Sequence, residues 1–362
     1  MSDASSINVG SYDVHVGAGL LDRAGEIIRA AAPAHRYVII SDENVHPLYA
    51  QQLRDAIGDG LDTELMIVPA GEAHKTRELW SHLTDGLLAE EYGRDTTILA
   101  LGGGVIGDLA GFVAATYLRG IPFVQLPTTV LAMIDASIGG KTGVDTPVGK
   151  NLVGAFHRPH AVIVDPTVLV SLPATQLRSG FAEAIKHGAI ADAAYYETID
   201  RLLLVALHDP TGAVMRSIIV RSIEIKASFV LQDEREGGIR RNLNFGHTLG
   251  HAIESESGYR LLHGEAIAIG MVLEAQLGER LGVTAPGTAN RLRDTLTRAE
   301  LPVTIPKNLD LQRILLATRR DKKAREGVTE YALVAEIGRA IAGVRAPDET
   351  VLQLLTQSGS AQ

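Results

Sequence analysis

Along the first half of the chain, short and almost unbroken apolar runs alternate with longer amphipathic stretches. Residues 37–41 (Tyr-Val-Ile-Ile-Ser), 65–68, 97–101, 123–126 and 161–164 are mostly apolar and too short for helices, so each reads as a buried strand. Residues 78–90 and 108–118, lying between them, carry helical patterns. Strand–helix alternation at this pitch predicts a parallel sheet covered on both faces. After Leu172-Pro173 the period changes. Residues 176–207, 210–233, 245–257, 263–282 and 286–299 are rich in Ala, Leu and Ile and read as helices. The expected architecture is an α/β domain over 1–172 followed by a mainly α-helical domain over 173–362, without internal repeats.

Composition narrows the function classes. The chain has 362 residues, 46% hydrophobic and 21% charged, enough for two domains and a substantial core. A net charge of -9 argues against nonspecific nucleic-acid binding, and any anionic ligand has to be held by local cations. Without cysteine there is no disulfide, no Cys-ligated zinc and no thiol nucleophile. The opening Met-Ser-Asp-Ala-Ser-Ser lacks an apolar signal core, and no run approaches the ~18 apolar residues that cross a bilayer. The expectation is a cytoplasmic enzyme with neither nucleic-acid nor membrane partner.

The run 97–101 leads directly into Gly102-Gly-Gly104-Val-Ile-Gly107-Asp108. Gly102, Gly104 and Gly107 satisfy G-x-G-x-x-G between strand and helix, where the helix N-terminus offers free N–H groups to a pyrophosphate. The first domain is therefore expected to be Rossmann-like and to bind a nucleotide. The acid expected ~20 residues later is missing, and Asp42 at another strand tip is a substitute. A glycine turn needed only for packing is the plainer alternative. Gly139-Gly-Lys141-Thr142 resembles a P-loop but has Asp135 where that motif needs glycine, which excludes it.

The densest chemistry lies in Asn244-Phe-Gly-His247-Thr-Leu-Gly-His251-Ala-Ile-Glu254, followed by His263-Gly-Glu265. On a helix, His247 and His251 project from one face, and a third histidine beside the small Gly264 points to a divalent metal site. Imidazole and carboxylate suit zinc, with other first-row ions left open. Half-buried histidines on an amphipathic helix are the plainer alternative. Cations gather in glycine-rich or unusual segments: Lys141 and Lys150 in the 138–151 loop, Arg119, Lys186, Lys226, Arg240 and the Lys322-Lys323 pair. Lysine serves as a point-charge phosphate binder. Lys186 stands one helical turn after Glu183, so a structural ion pair is an alternative there.

Taken in order, Gly71-Glu-Ala-His-Lys75-Thr76, the Gly102–Asp108 loop, Pro127-Thr-Thr129, the 137–151 segment, Phe181-Ala-Glu-Ala-Ile-Lys186 and Asn244-Phe-Gly-His247-Thr-Leu-Gly-His251 resemble the 3-dehydroquinate synthase family, from about residue 8 to 355. The resemblance implies a phosphate-eliminating lyase of the shikimate pathway, in chorismate and aromatic amino acid biosynthesis. Such enzymes convert 3-deoxy-D-arabino-heptulosonate 7-phosphate to 3-dehydroquinate and phosphate, using catalytic NAD and a divalent metal, zinc or cobalt, in a homodimer. It implies Glu183, His247 and His263 as metal ligands, moving His251 from the metal to the substrate. It implies NAD contacts from Asp42, Glu72, Lys75, Gly103, Gly104, Val105, Asp108, Thr128, Thr129, Lys141 and Lys150. Substrate contacts fall to Asp135, Lys141, Asn151, Lys186, Lys226, Arg240, Asn244 and His251, with Lys322 or Lys323, and Arg119 reaches the phosphate from a neighbouring subunit.

The implied chemistry accounts for this inventory. Oxidising the C5 hydroxyl makes the C6 hydrogen acidic, phosphate leaves by β-elimination, the ketone is reduced again, and ring opening with aldol closure forms the carbocycle. Two rival functions are a sister sugar-phosphate cyclase acting on another heptulose phosphate and a metal-dependent NAD polyol dehydrogenase. The first would not need Arg240 and Lys226 for a carboxylate; the second would accumulate NADH.

Overall fold

Every residue of Thr96–Gly102 is buried, and neighbouring strands of the same character close around it. The computed structural model describes residues 4–58, 60–147, 149–319 and 329–360. The chain divides into two units, Met1–Leu172 with Pro210–Ala227, and Pro173–Asp209 with Ser228–Gln362.

In the first unit the strands are β1 (Ser5–Asn8), β2 (Asp13–Val16), β3 (Arg36–Asp42), β4 (Asp62–Val68), β5 (Thr96–Gly102), β6 (Phe123–Pro127), β7 (Lys141–Thr146), β8 (Gly149–Phe156) and β9 (Ala161–Val164). Helices α1 (Ala24–Ala31), α2 (His46–Ile57), α3 (Arg77–Ala89) and α4 (Gly104–Thr116) lie between them. Among the described residues one sheet has seven strands in the order β1-β2-β9-β6-β5-β3-β4. All five expected strands are present. The sheet is mixed rather than purely parallel, because β1 and β2 pair antiparallel at one edge. Val38, Ile40, Ile98 and Ala100 pack with Leu83 and Leu87 of α3 and Ile106, Leu109 and Val113 of α4. Ile39 and Leu99, which alternate with them, are buried as well, as the continuous apolar runs require. In this register Ser41 pairs with Leu101 and Gly102 with Pro127, so Asp42, the glycine loop and Thr128 gather at the carboxyl ends of adjacent strands. In open α/β sheets ligands bind at that end.

The 138–151 stretch, expected as a loop, contributes to an antiparallel hairpin of β7 and β8. Gly143 faces Gly154, and a Cβ on Gly154 would lie 2.1 Å from Thr142 O, so the glycines permit a close ladder here.

The second unit is mostly helical: α5 (Ala174–Ala191), α6 (Ala193–His208), part of α7 (Ala213–Gln232), α8 (His247–Glu256), α9 (His263–Arg280), α10 (Thr288–Arg298), α11 (Leu311–Arg319) and α12 (Asp348–Ser360). The expected single helix over 176–207 is two. Asp192 takes an extended conformation and accepts the Tyr195 N–H at 3.0 Å, capping α6. A hairpin of β10 (Glu330–Glu336) and β11 (Arg339–Arg345) was not anticipated. Leu333 of β10 joins Leu249, Ile253, Ile269, Leu273, Ile314 and Leu354 in one core. Among the described residues no helix is long and apolar enough to cross a membrane.

Candidate active site

The expected site residues fall into two groups, one in each unit. In the first, α4 begins at Gly104, immediately beyond the end of β5, with Gly103 as its N-cap. Packing by itself requires glycine at two of these positions, whatever the loop binds. A Cβ on Gly102 would lie 2.6 Å from Ile106 Cγ1, and one on Gly107 2.6 Å from Gln125 Oε1. Gly103 and Gly104 are less confined, at 3.3 Å from Thr129 Cγ2 and 3.2 Å from Ala136 Cβ. The arrangement fits a pyrophosphate at the α4 N-terminus, where first-turn N–H groups lack intrahelical acceptors. Thr128 N donates to Gly102 O at 2.9 Å, and Thr129 Oγ1 accepts the Ala132 N–H. Asp42 Oδ1 accepts the N–H groups of Asn44 and Val45, so this residue also shapes its own turn.

Lys75 is buried, and its Nζ donates to Asp108 Oδ2 at 2.5 Å and to Asn151 Oδ1 at 2.6 Å. Burial lowers its pKa; Asp108, Glu72 and Asp145 outweigh that, and the net shift is upward. Lys150 Nζ lies 3.2 Å from Glu72 Oε1. Lys226 Nζ meets both the carboxylate and the main-chain oxygen of Asp135 at 2.6 Å. Lys141 is exposed at the start of β7. Arg119 is exposed and stands at φ +69 in a short turn ahead of β6.

In the second unit, two close helix contacts bring the histidines together. A Cβ on Gly264 would lie 1.9 Å from Ser179 O, so the α9 N-terminus presses directly on α5, which carries Glu183. Where α8 crosses α9, a Cβ on Gly270 would lie 2.0 Å from Gly246 O. His247 and His251 on α8 and His263 at the start of α9 have ring centroids 5.1 to 5.6 Å apart. His247 Nε2 and His263 Nε2 each lie 3.5 Å from the same oxygen, Glu183 Oε1. His263 Nδ1 lies 3.6 Å from Glu254 Oε2. His247 Nδ1 lies 3.1 Å from Phe245 O. The donors of all three histidines lie within 4.8 Å of one another, and this converging set fits a divalent cation. Burial lowers the His263 pKa, but Glu183 and Glu254 push it up to about 10, so the pocket favours positive charge. Lys186, fully buried, forms an ion pair with Glu183.

Nearby, Arg240 is buried and its Nη1 donates to Glu234 O at 2.5 Å. Asn244 Nδ2 donates to Glu236 Oε1 at 2.5 Å. Asp233 accepts the N–H groups of Gly237, Gly238 and Arg240, which folds this loop around its carboxylate. Glu274, deep in α9, accepts Gly246 N–H at 2.6 Å and Leu249 N–H at 2.9 Å and so caps α8. Glu265 is a cap as well, accepting Leu262 N–H at 2.8 Å. Lys322 and Lys323 lie outside the described residues.

Comparison with known proteins adds to this geometry. A family model for the 3-dehydroquinate synthase N-terminal region matches residues 65–179, and one for its C-terminal region matches 180–324. A curated 3-dehydroquinate synthase from Symbiobacterium thermophilum is 45% identical over 334 residues, 91% of this chain and 93% of that protein. The chain belongs to the 3-dehydroquinate synthase family. The solved structure of 2-epi-5-epi-valiolone synthase from Streptomyces hygroscopicus subsp. jinggangensis, with NAD+ and Zn2+ bound, matches at TM-score 0.89 and 29% identity over 99% of each chain. A 2-deoxy-scyllo-inosose synthase complexed with carbaglucose-6-phosphate, NAD+ and Co2+ matches at TM-score 0.87, covering 98% of this chain and 100% of that one. At 24% identity the latter shows the shared fold alone.

For this 3-dehydroquinate synthase family member, reading the sequence missed Glu236, Asp233 and Glu274. Glu236 stands at φ +59, rare for a non-glycine residue, but that strain becomes visible only in the folded loop. Glu274 sits in an ordinary Ala/Leu-rich helix, and no local pattern marks it as the cap of another helix.

Proposed function

We infer that this chain is a 3-dehydroquinate synthase, taking 3-deoxy-D-arabino-heptulosonate 7-phosphate to 3-dehydroquinate and phosphate with NAD and a divalent metal. The observation that carries the reading is the convergence of His247 and His263 on Glu183, in a chain 45% identical to a curated enzyme of that activity. Identity to the valiolone synthase is 29%, which favours the dehydroquinate synthase reading over the sister cyclase.

Glu183, His247 and His263 would hold the metal, which when bound would supply Lewis-acid polarisation of substrate oxygens. The α4 N-terminus, Asp42, Glu72, Lys75, Asp108, Thr128, Thr129 and Lys150 would hold NAD, which would supply reversible hydride chemistry at the C5 alcohol. His251 faces substrate from the same histidine cluster. Lys186, ion-paired with Glu183, stands beside the proposed metal ligands as a donor to substrate oxygens. Lys226 and Asp135 orient one another, Lys141 and Asn151 contact the sugar, and Asn244 is steered by Glu236. Arg240 supplies a planar fork for the substrate carboxylate. Arg119 meets the phosphate across a homodimer interface.

Phosphate release from the heptulosonate phosphate, with and without chelator, tests this reading. Release should stop on chelation and return with zinc or cobalt. It should need NAD only in amounts far below substrate, with no absorbance growing in the NADH band. Stoichiometric NADH would point to a polyol dehydrogenase instead.

A further inference from the structure

Asn151 lies in β8 with φ +53, a left-handed backbone that non-glycine residues rarely adopt. The hairpin ladder pairs Val144 with Val153 and Thr146 with Gly149. Asp145 alone on β7 therefore faces residues 150–152 on β8, which is a bulge. Asn151 N–H donates to Asp145 Oδ1 at 2.8 Å, so a side chain replaces the ladder acceptor. Asp145 N–H in turn donates to Lys75 O at 2.7 Å. Lys75 Nζ closes the ring on Asn151 Oδ1 at 2.6 Å and extends it to Asp108 in the second turn of α4. Glu72 and Lys150, paired with each other, are the other charged groups around this carboxylate.

We propose that Asp145 is a positioning residue, whose carboxylate holds the Asn151 backbone in its left-handed form and so aims the Asn151 amide at the substrate. This rests on the reading of Asn151 as a substrate contact. Bulges next to active sites re-aim side chains, and strained conformations persist only where the surroundings over-determine them. Here three groups do so: the Asp145 carboxylate on the Asn151 N–H, the Lys75 ammonium on its side chain, and the Lys75 carbonyl on Asp145 itself. Asp145 need not touch the substrate. It acts through Asn151.

Two variants separate positioning from bulk stability. Asp145→Ala removes the acceptor, whereas Asp145→Asn keeps a side-chain oxygen at the same reach. Three quantities are read on the full-length enzyme: amide exchange at Asn151, kcat/KM by phosphate release, and NAD Kd by fluorescence. In the Ala variant exchange should quicken and kcat/KM should fall, each by about tenfold or more, the worth of a hydrogen bond to a charged acceptor. In the Asn variant both should stay within about threefold of wild type, as should NAD Kd in either variant. An Ala variant with wild-type exchange and kcat/KM overturns the assignment, and so does equal loss in both variants or a loss confined to NAD Kd. If the Ala variant does not fold, Asp145→Ser, whose hydroxyl is too short for the Asn151 N–H, takes its place under the same criteria. A wild type that releases no phosphate would sink the dehydroquinate synthase reading, while the exchange comparison would still decide the role of Asp145.

Discussion

Gly270 faces Gly246 so closely that a methyl group on Gly270 would lie 2.0 Å from the Gly246 carbonyl oxygen. The crossing of α8 over α9 therefore depends on a bare backbone, and it sets the distance between His247 and His263. Gly270→Ala should push the helices apart, at a cost of about 1–3 kcal/mol for overpacking. Thermal unfolding of the chelated protein measures that part. Zinc affinity should fall as well, because two donors separate; a variant with lowered Tm and unchanged zinc affinity would detach the crossing from the metal.

His263 and Glu254 should differ in how they affect metal. His263→Ala removes a donor, and the variant should emerge from gel filtration with substoichiometric zinc. Glu254→Gln keeps all three proposed ligands but loses the carboxylate 3.6 Å from His263 Nδ1. Its zinc affinity should weaken by about 10–100-fold, the usual effect of losing a carboxylate behind a ligand histidine. Competition with a chromogenic chelator checks both.

Arg240 should govern recognition of the substrate carboxylate. Each hydrogen bond to a charged group contributes roughly 1.5–3 kcal/mol, so Arg240→Ala should lower kcat/KM by about tenfold to a few hundredfold. Metal content and NAD Kd should stay near wild type. An Ala variant as fast as wild type on the heptulosonate phosphate would shift the reading toward the sister cyclase.

Asp233 should make stability pH-dependent in acid. Partial burial raises its pKa, but the N–H groups of Gly238, Gly237 and Arg240 outweigh this and hold it below the usual carboxylate value. A depressed carboxylate pKa contributes stability that is fully present above the unfolded value, about 3.9, and is lost as pH falls through the folded value. Asp233→Asn should therefore be less stable than wild type at pH near 7, with the gap closing below about pH 4. Urea unfolding across that range measures it.

How far the sequence carried depended on how local each signal was. Strands buried on both faces announce themselves as apolar runs, which is why residues 37–41 and 97–101 read correctly. The hairpin of β7 and β8 was hidden because Gly143 and Gly154 face each other, and glycine carries no hydrophobic period. The break between α5 and α6 was hidden because one residue, Asp192, interrupts an otherwise continuous helical pattern. His247 and His251 were legible as a spaced pair, and Gly264 as a close approach. Glu183 became a metal candidate only through the family resemblance, since its place beside the histidines is made by helix packing. Glu274 and Asp145 act on backbone N–H groups of other segments, so no window of sequence could have shown them.

A ribosome making this chain finishes residues 1–172 well before it reaches Lys226, yet Pro210–Ala227 belongs to the first unit. The carboxylate and main-chain oxygen of Asp135 must therefore wait for a lysine encoded much later, with α5 and α6 synthesised in between. A fragment ending at Leu172 is an incomplete body, and a gene cut there would strand Pro210–Ala227 on the other half, away from the unit it belongs to. Folding of the first unit is thus tied to translation through Ala227, past the whole of α5 and α6.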